Sequence, residues 1–89
     1  MNELTIEQIA ELQDSEGVLE IQKLILSGEV WKFEGSYGRQ AMDFLNSGIC
    51  YLPEVVTYDY YGNMIPSRNQ LEAGTKGTLE NAQRYWSEN

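Results

Sequence analysis

The sequence predicts an α+β fold: a single small domain over residues 1–89, with an N-terminal helix pair, a central helix, a small antiparallel β-hairpin or sheet, and a C-terminal helix. Three observations carry that prediction. Apolar residues keep helical spacing up to Ser27, again across 37–46, and again after Thr78. Between Ile49 and Ser67 the pattern changes to short β-prone runs, broken at Pro53 and at the turn-forming Asp59-Tyr60-Tyr61-Gly62-Asn63. Eighty-nine residues suffice for one compact core and exclude a second domain.

The first helix is expected over 6–13. Thr5-Ile6-Glu7-Gln8 is a capping box, and Leu4 and Ile9 occupy the positions of a hydrophobic staple. Ile6, Ile9, Ala10 and Leu12 supply its apolar side, while Glu3, Glu7 and Glu11 recur every four residues on a solvated face. Asp14 or Ser15 is placed to cap a second helix. Its apolar residues Val18, Leu19, Ile21, Leu24, Ile25 and Leu26 hold helical period until Ser27-Gly28 stops it. The near absence of a linker makes the two helices a hairpin or a steeply crossed pair.

Glu29-Val30-Trp31-Lys32-Phe33 has aromatic positions two apart and reads as a half-buried strand ended by Gly35. Ser36 is placed to cap a third helix over 37–46, with Tyr37, Ala41, Phe44 and Leu45 on one stripe and Gly48 as its stop. In the hairpin, Asp59 is expected to hydrogen-bond its own turn and Gly62 to take a positive φ, with Met64-Ile65 returning antiparallel to Val55-Thr57 before Pro66. Residues 67–77 are polar and read as a surface loop with a short turn around Asn69–Glu72. Thr78 then caps a last helix over 79–87, whose Leu79, Ala82, Tyr85 and Trp86 share a docking face.

Composition narrows function. The apolar share of 42%, with ten aromatic residues, is that of a chain that folds. One cysteine allows no internal disulfide, the N-terminus carries acids where a secretory leader needs bases, and no apolar run approaches the ~18 residues that span a bilayer. A cytoplasmic monomer or small homo-oligomer is expected. The net charge is −8, and residues 1–22 hold six acids with no Lys or Arg. Such a field repels phosphate backbones and anionic lipid, which argues against direct nucleic-acid or membrane binding and favours a basic protein partner, including one that itself binds nucleic acid.

Catalytic equipment is sparse. The chain has no histidine, hence no imidazole base, triad or dyad. Cys50 lies between Ile49, Tyr51 and Leu52 and reads as an inert core thiol. Neither zinc nor iron–sulfur ligation nor an EF-hand spacing is present, so no metal or cofactor is expected. An enzyme using paired carboxylates, as in glycosidases, or tyrosine remains the one enzymatic option, and a domain this small rarely encloses the deep cleft that carboxylate chemistry needs.

Two binding readings follow. In the first, the protein is a small acidic adaptor or inhibitor, of the sort mobile elements encode. It engages a basic surface through Glu3, Glu7, Glu11 and Asp14, which recur about every 6 Å along a helix, and through the tyrosines Tyr58, Tyr60 and Tyr61 of the hairpin. In the second, a small anionic metabolite or nucleotide sits between two seats. These are the Gly74-Thr75-Lys76-Gly77-Thr78 loop, with Thr75, Lys76 and Thr78, and the Ser36-Tyr37-Gly38-Arg39 helix entry, with Ser36 and Arg39.

Overall fold

A computed structural model describes residues 3–33 and 36–88. The capping box forms in full: the Gln8 N–H donates to the Thr5 hydroxyl at 3.1 Å and the Thr5 N–H donates to the Gln8 side-chain carbonyl at 2.8 Å. It starts α1 (Ile6–Ser15). Leu4 packs beside the fully buried Ile9, as a staple requires. The inward stripe of α1 is Ile9 and Gln13, while Ile6 and Leu12 stay exposed, contrary to the apolar side read from the sequence. The expected cap of α2 by Asp14 or Ser15 does not form either. Both residues belong to α1, the Ser15 hydroxyl donates back to the Leu12 carbonyl at 2.9 Å, and α2 (Leu19–Ser27) starts from Val18 without a side-chain cap.

Gly28 closes α2 at φ 82°, where an added Cβ would lie 2.8 Å from Thr57 Cγ2. The chain therefore turns sharply and passes beneath the hairpin. That turn overrides the strand expected at 29–33: Glu29–Lys32 is a 3₁₀ turn, burying Val30 and Trp31 against α2 and α3. β-propensity reports packing on a pleated surface, and this segment meets no ladder. One bond joins it to the hairpin, from the Tyr60 N–H to the Trp31 carbonyl at 3.0 Å. The expected stop at Gly35 lies outside the described residues. α3 (Ser36–Ser47) takes Ser36 as its first helical residue, so Ser36 does not cap it from outside. Ala41 and Leu45 face inward, Phe44 is half-buried, and Tyr37 is exposed beside Phe33 with ring centroids 5.3 Å apart.

The segment 49–52 crosses the middle of the molecule and buries Cys50, Tyr51 and Leu52 without joining a sheet. Its backbone is read by side chains: Gln22 donates from Nε2 to the Tyr51 carbonyl at 2.9 Å and accepts the Tyr51 N–H at 3.1 Å, while Gln13 Nε2 donates to the Ile49 carbonyl at 2.9 Å and to Gln22 Oε1 at 2.8 Å. Both glutamines are almost fully buried and stand in for the missing ladder. On one side lies the larger core, with Ile21, Ile25, Val30, Trp31 and Leu45; on the other, Ile9, Tyr51 and Ala82 form a smaller one. Each fully buried aliphatic side chain here contributes about 1.5–3 kcal/mol.

β1 (Thr57–Tyr58) and β2 (Met64–Ile65) pair antiparallel, Thr57 with Ile65 and Tyr58 with Met64. The ladder is thus shifted toward the turn from the expected 55–57, and Val55 is exposed outside it. The turn itself is as expected. Asp59 Oδ1 accepts the N–H groups of Tyr61 and Asn63 at 2.9 and 2.8 Å, and Gly62 has φ 83°. Residues 67–77 contain a 3₁₀ turn at Arg68–Gln70, closed by a Ser67/Gln70 capping box and starting one residue before the expected position. Thr78 then caps α4 (Leu79–Glu88) by accepting the Asn81 N–H at 3.2 Å, and Ala82 and the half-buried Leu79 and Trp86 dock α4 on α1 and Tyr51. The outcome is the small α+β domain the sequence predicts, with four helices and a two-stranded sheet among the described residues.

Candidate functional site

The turn at Asp59 aims two rings outward. Tyr60 and Tyr61 are 66% and 84% exposed, and their ring centroids lie 5.3 Å apart in an edge-on pair. Beneath them, the 3₁₀ turn and α3 supply Trp31, Phe33, Arg39 and Met42, and together these residues line an open cleft of about 500 Å³. That volume lies in the range of ligand and anchor sites, and the lining has their usual character, apolar and aromatic walls with few polar groups. Asp59 also borders the cleft, but its carboxylate is committed to the turn. Hydrogen bonds, led by that of the Asn63 N–H, hold its pKa below the ordinary value.

The sequence-predicted residues divide between several places. Tyr60, Tyr61 and Arg39 come together at the cleft, whereas the exposed Tyr58 is not part of its lining. Glu7, Glu11 and Asp14 are exposed along α1, which packs on α2 and α4, whereas Glu3 is exposed ahead of the helix and so does not extend its stripe; no α1 residue lines the cleft. Among the described residues their carboxylates make no hydrogen bond or ion pair, and the one ion pair is Arg68–Glu54 at 3.6 Å.

The 74–78 loop spends its polar groups on itself. The Thr75 N–H and hydroxyl both donate to the Glu72 carbonyl, at 3.1 and 2.6 Å, and the Thr78 N–H and hydroxyl donate to the Thr75 carbonyl at the same two distances. Thr78 borders a polar cavity with Glu54, Arg68 and Glu80, away from Lys76. What this loop offers an anion is the exposed Lys76 ammonium. Ser36 is exposed at the start of α3 and borders none of these cavities.

Sequence reasoning missed Trp31, Phe33 and Met42 as site residues. The aromatic pair at 31 and 33 was the available signal, but it read equally well as a strand. Cys50 is fully buried and burial pushes its thiol up to about 12, so the one cysteine stays protonated at neutral pH.

These features define a small α+β domain with an open aromatic cleft beside its hairpin. Residues 1–65 match the family described as "Domain of unknown function (DUF7417)", and the chain belongs to that family. The matched span runs from α1 through β2 and includes Trp31, Arg39, Met42, Tyr60 and Tyr61. No curated protein and no solved structure matches the chain. Among the described residues no helix is long and apolar enough to cross a membrane.

Proposed function

We propose that the protein is a non-enzymatic interaction module, an adaptor or inhibitor that binds a basic protein partner. The cleft anchors that partner and the acids of α1 steer it. The observation that carries this reading is the exposure of Tyr60 and Tyr61 at the mouth of a cleft floored by Trp31. Large rings left in water beside a concave apolar surface are what interface hot spots are made from, because tyrosine supplies contact area at low entropic cost. The unpaired carboxylates of α1 act at longer range: at net charge −8 they raise the encounter rate with a basic surface without having to line the cleft.

The test is capture from the native host's lysate at low and moderate salt, followed by mass spectrometry, using wild type, Tyr60→Ala/Tyr61→Ala and Glu7→Lys/Glu11→Lys. A basic protein held by wild type is expected to be lost from the tyrosine variant at every salt concentration. The charge variant is expected to lose it chiefly at low salt, where the field reaches farthest. Equal retention by the tyrosine variant, with its fold checked by circular dichroism, overturns the reading.

A further inference from the structure

Five large side chains gather around the aromatic cleft. Phe33, Met42, Tyr60 and Tyr61 line it, and Tyr37 packs beside Phe33. Phe33, Tyr37 and Met42 are 47–48% exposed, and the two turn tyrosines more so. At about 150–250 Å² for a whole aromatic side chain, the five leave roughly 500–600 Å² of ring and thioether surface in water. That is the top of the range for the largest apolar patch on a typical monomer, about 300–600 Å². The charges on this face decide its occupant. Its lining holds one base and one acid, Arg39 from α3 and Asp59 from the hairpin turn. Arg39 is exposed, and its guanidinium makes no hydrogen bond or ion pair among the described residues. Asp59 Oδ1 takes two backbone N–H groups, while Oδ2 takes only the Asn63 side-chain amide at 3.2 Å. The cleft is thus locally neutral in a chain of net charge −8, and the acids of α1 do not border it. An unpaired base and an acid with an oxygen to spare make the face self-complementary, because a two-fold contact brings each residue against its counterpart's neighbour twice.

We propose that this face binds a second copy of the chain, as a two-fold dimer in which the tyrosine turn of each protomer packs over the cleft of its partner and Arg39 of each pairs with Asp59 of the other. The two faces together bury about 1,000–1,200 Å², the low end for specific interfaces. The dimer is therefore weak, with a dissociation constant on the order of 10–100 µM, and a tighter partner displaces it. The acids of α1 lie off the face, so the like charge of the two copies acts only at long range and moderate salt screens it. This inference goes beyond partner capture and does not rest on it: self-association covers the same rings until a partner competes for them.

Sedimentation equilibrium of the pure protein, from about 5 µM to about 500 µM in about 0.3 M salt, tests it. The mean mass of the wild-type protein is expected to climb from 10.2 kDa toward twice that value. Tyr61→Ser and Arg39→Glu each change an exposed side chain, and each is expected to raise the dissociation constant about tenfold or more, the second by setting two acids against each other. A wild-type protein that stays at 10.2 kDa up to about 500 µM overturns the proposal. So does a dimer that either variant leaves as tight as wild type, because that dimer uses another face. Capture from lysate is scored separately, with bait at about 1 µM, well below the dimer's dissociation constant, so either reading can fail alone.

Discussion

Gln13 and Gln22 are both buried side-chain amides that touch the same segment, yet replacing each by methionine, unbranched and nearly as long, should have opposite consequences. Gln22 is the partner of both the N–H and the carbonyl of Tyr51. Gln22→Met strands two buried backbone groups at about 1–3 kcal/mol each, offset by roughly 1–2 kcal/mol for the apolar side chain, so a net loss of about 2–4 kcal/mol is expected. Every acceptor of Gln13 Nε2 in the protein backbone and side-chain amides has a second donor. Gln22 Oε1 keeps the Tyr51 N–H, and the Ile49 carbonyl keeps the Trp86 indole N–H. Gln13 Oε1 is itself buried without a partner among the described residues, so Gln13→Met removes an unpaired group and should fall within about 1 kcal/mol of wild type. Urea unfolding with an unchanged slope measures both. With a slope of about 1 kcal/mol per molar, the Gln22 variant should lose about 2 M or more of midpoint and the Gln13 variant little. Equal losses for the two variants would refute the idea that pairing of Tyr51, rather than simple burial of amides, holds this segment.

Gly28→Ala should cost roughly 1–3 kcal/mol, because the position needs φ 82° and the new methyl meets Thr57 Cγ2 at 2.8 Å. Gly62→Ala, at φ 83° with open space around it, should cost less, and equal thermal midpoints would sink the steric part of this argument. The Cys50 thiol is raised from 9.0 to about 12 by burial, so the folded state holds its proton longer than the unfolded one. Stability is therefore full below about pH 9 and declines as pH rises toward 12, and Cys50→Ala should flatten that decline in alkaline unfolding curves. Asp59 has a depressed pKa, with the opposite sign: its contribution to the turn is complete above the ordinary carboxylate range and is lost as pH falls through the folded value. Protection of the Tyr61 and Asn63 amides, taken relative to the intrinsic exchange rate at each pH, should fall as Asp59 gains its proton, and an Asp59→Ala variant whose amides are as protected at neutral pH as those of wild type would contradict it.

Local chemistry was legible wherever one or two residues decide an outcome within a turn of helix. Thr5 with Gln8, Gly28, Asp59 with Gly62, and Thr78 each act on neighbours three or four positions away, and each forms what its sequence implies. The strand read at 29–33 failed because Val30 and Trp31 satisfy burial in a tight turn as well as in a sheet, and only the tertiary partner decides between them. The burial of Gln13 and Gln22 was illegible for the same reason: nothing local says that an extended segment lying 27 or more residues later will need an amide. Of the cleft, the tyrosines and Arg39 were visible as unusual residues, but its floor depends on Trp31 turning inward under the hairpin.

The smaller core joins the beginning of the sequence to its end: Ile9 and Ala82 pack together on Tyr51, and Gln83 Nε2 donates to the Leu4 carbonyl at 2.9 Å, across 79 positions. During synthesis the chain emerges from its N-terminus, so α1, α2, α3 and the hairpin are all made before any of α4 exists. Until residues 79–88 are released, Ile9 and Tyr51 lack the cover of Leu79, Ala82 and Trp86, and a nascent chain stalled after the hairpin presents that apolar surface to whatever is nearby. Completion of the last helix is thus the event that turns a collection of helices with a sticky flank into a finished surface.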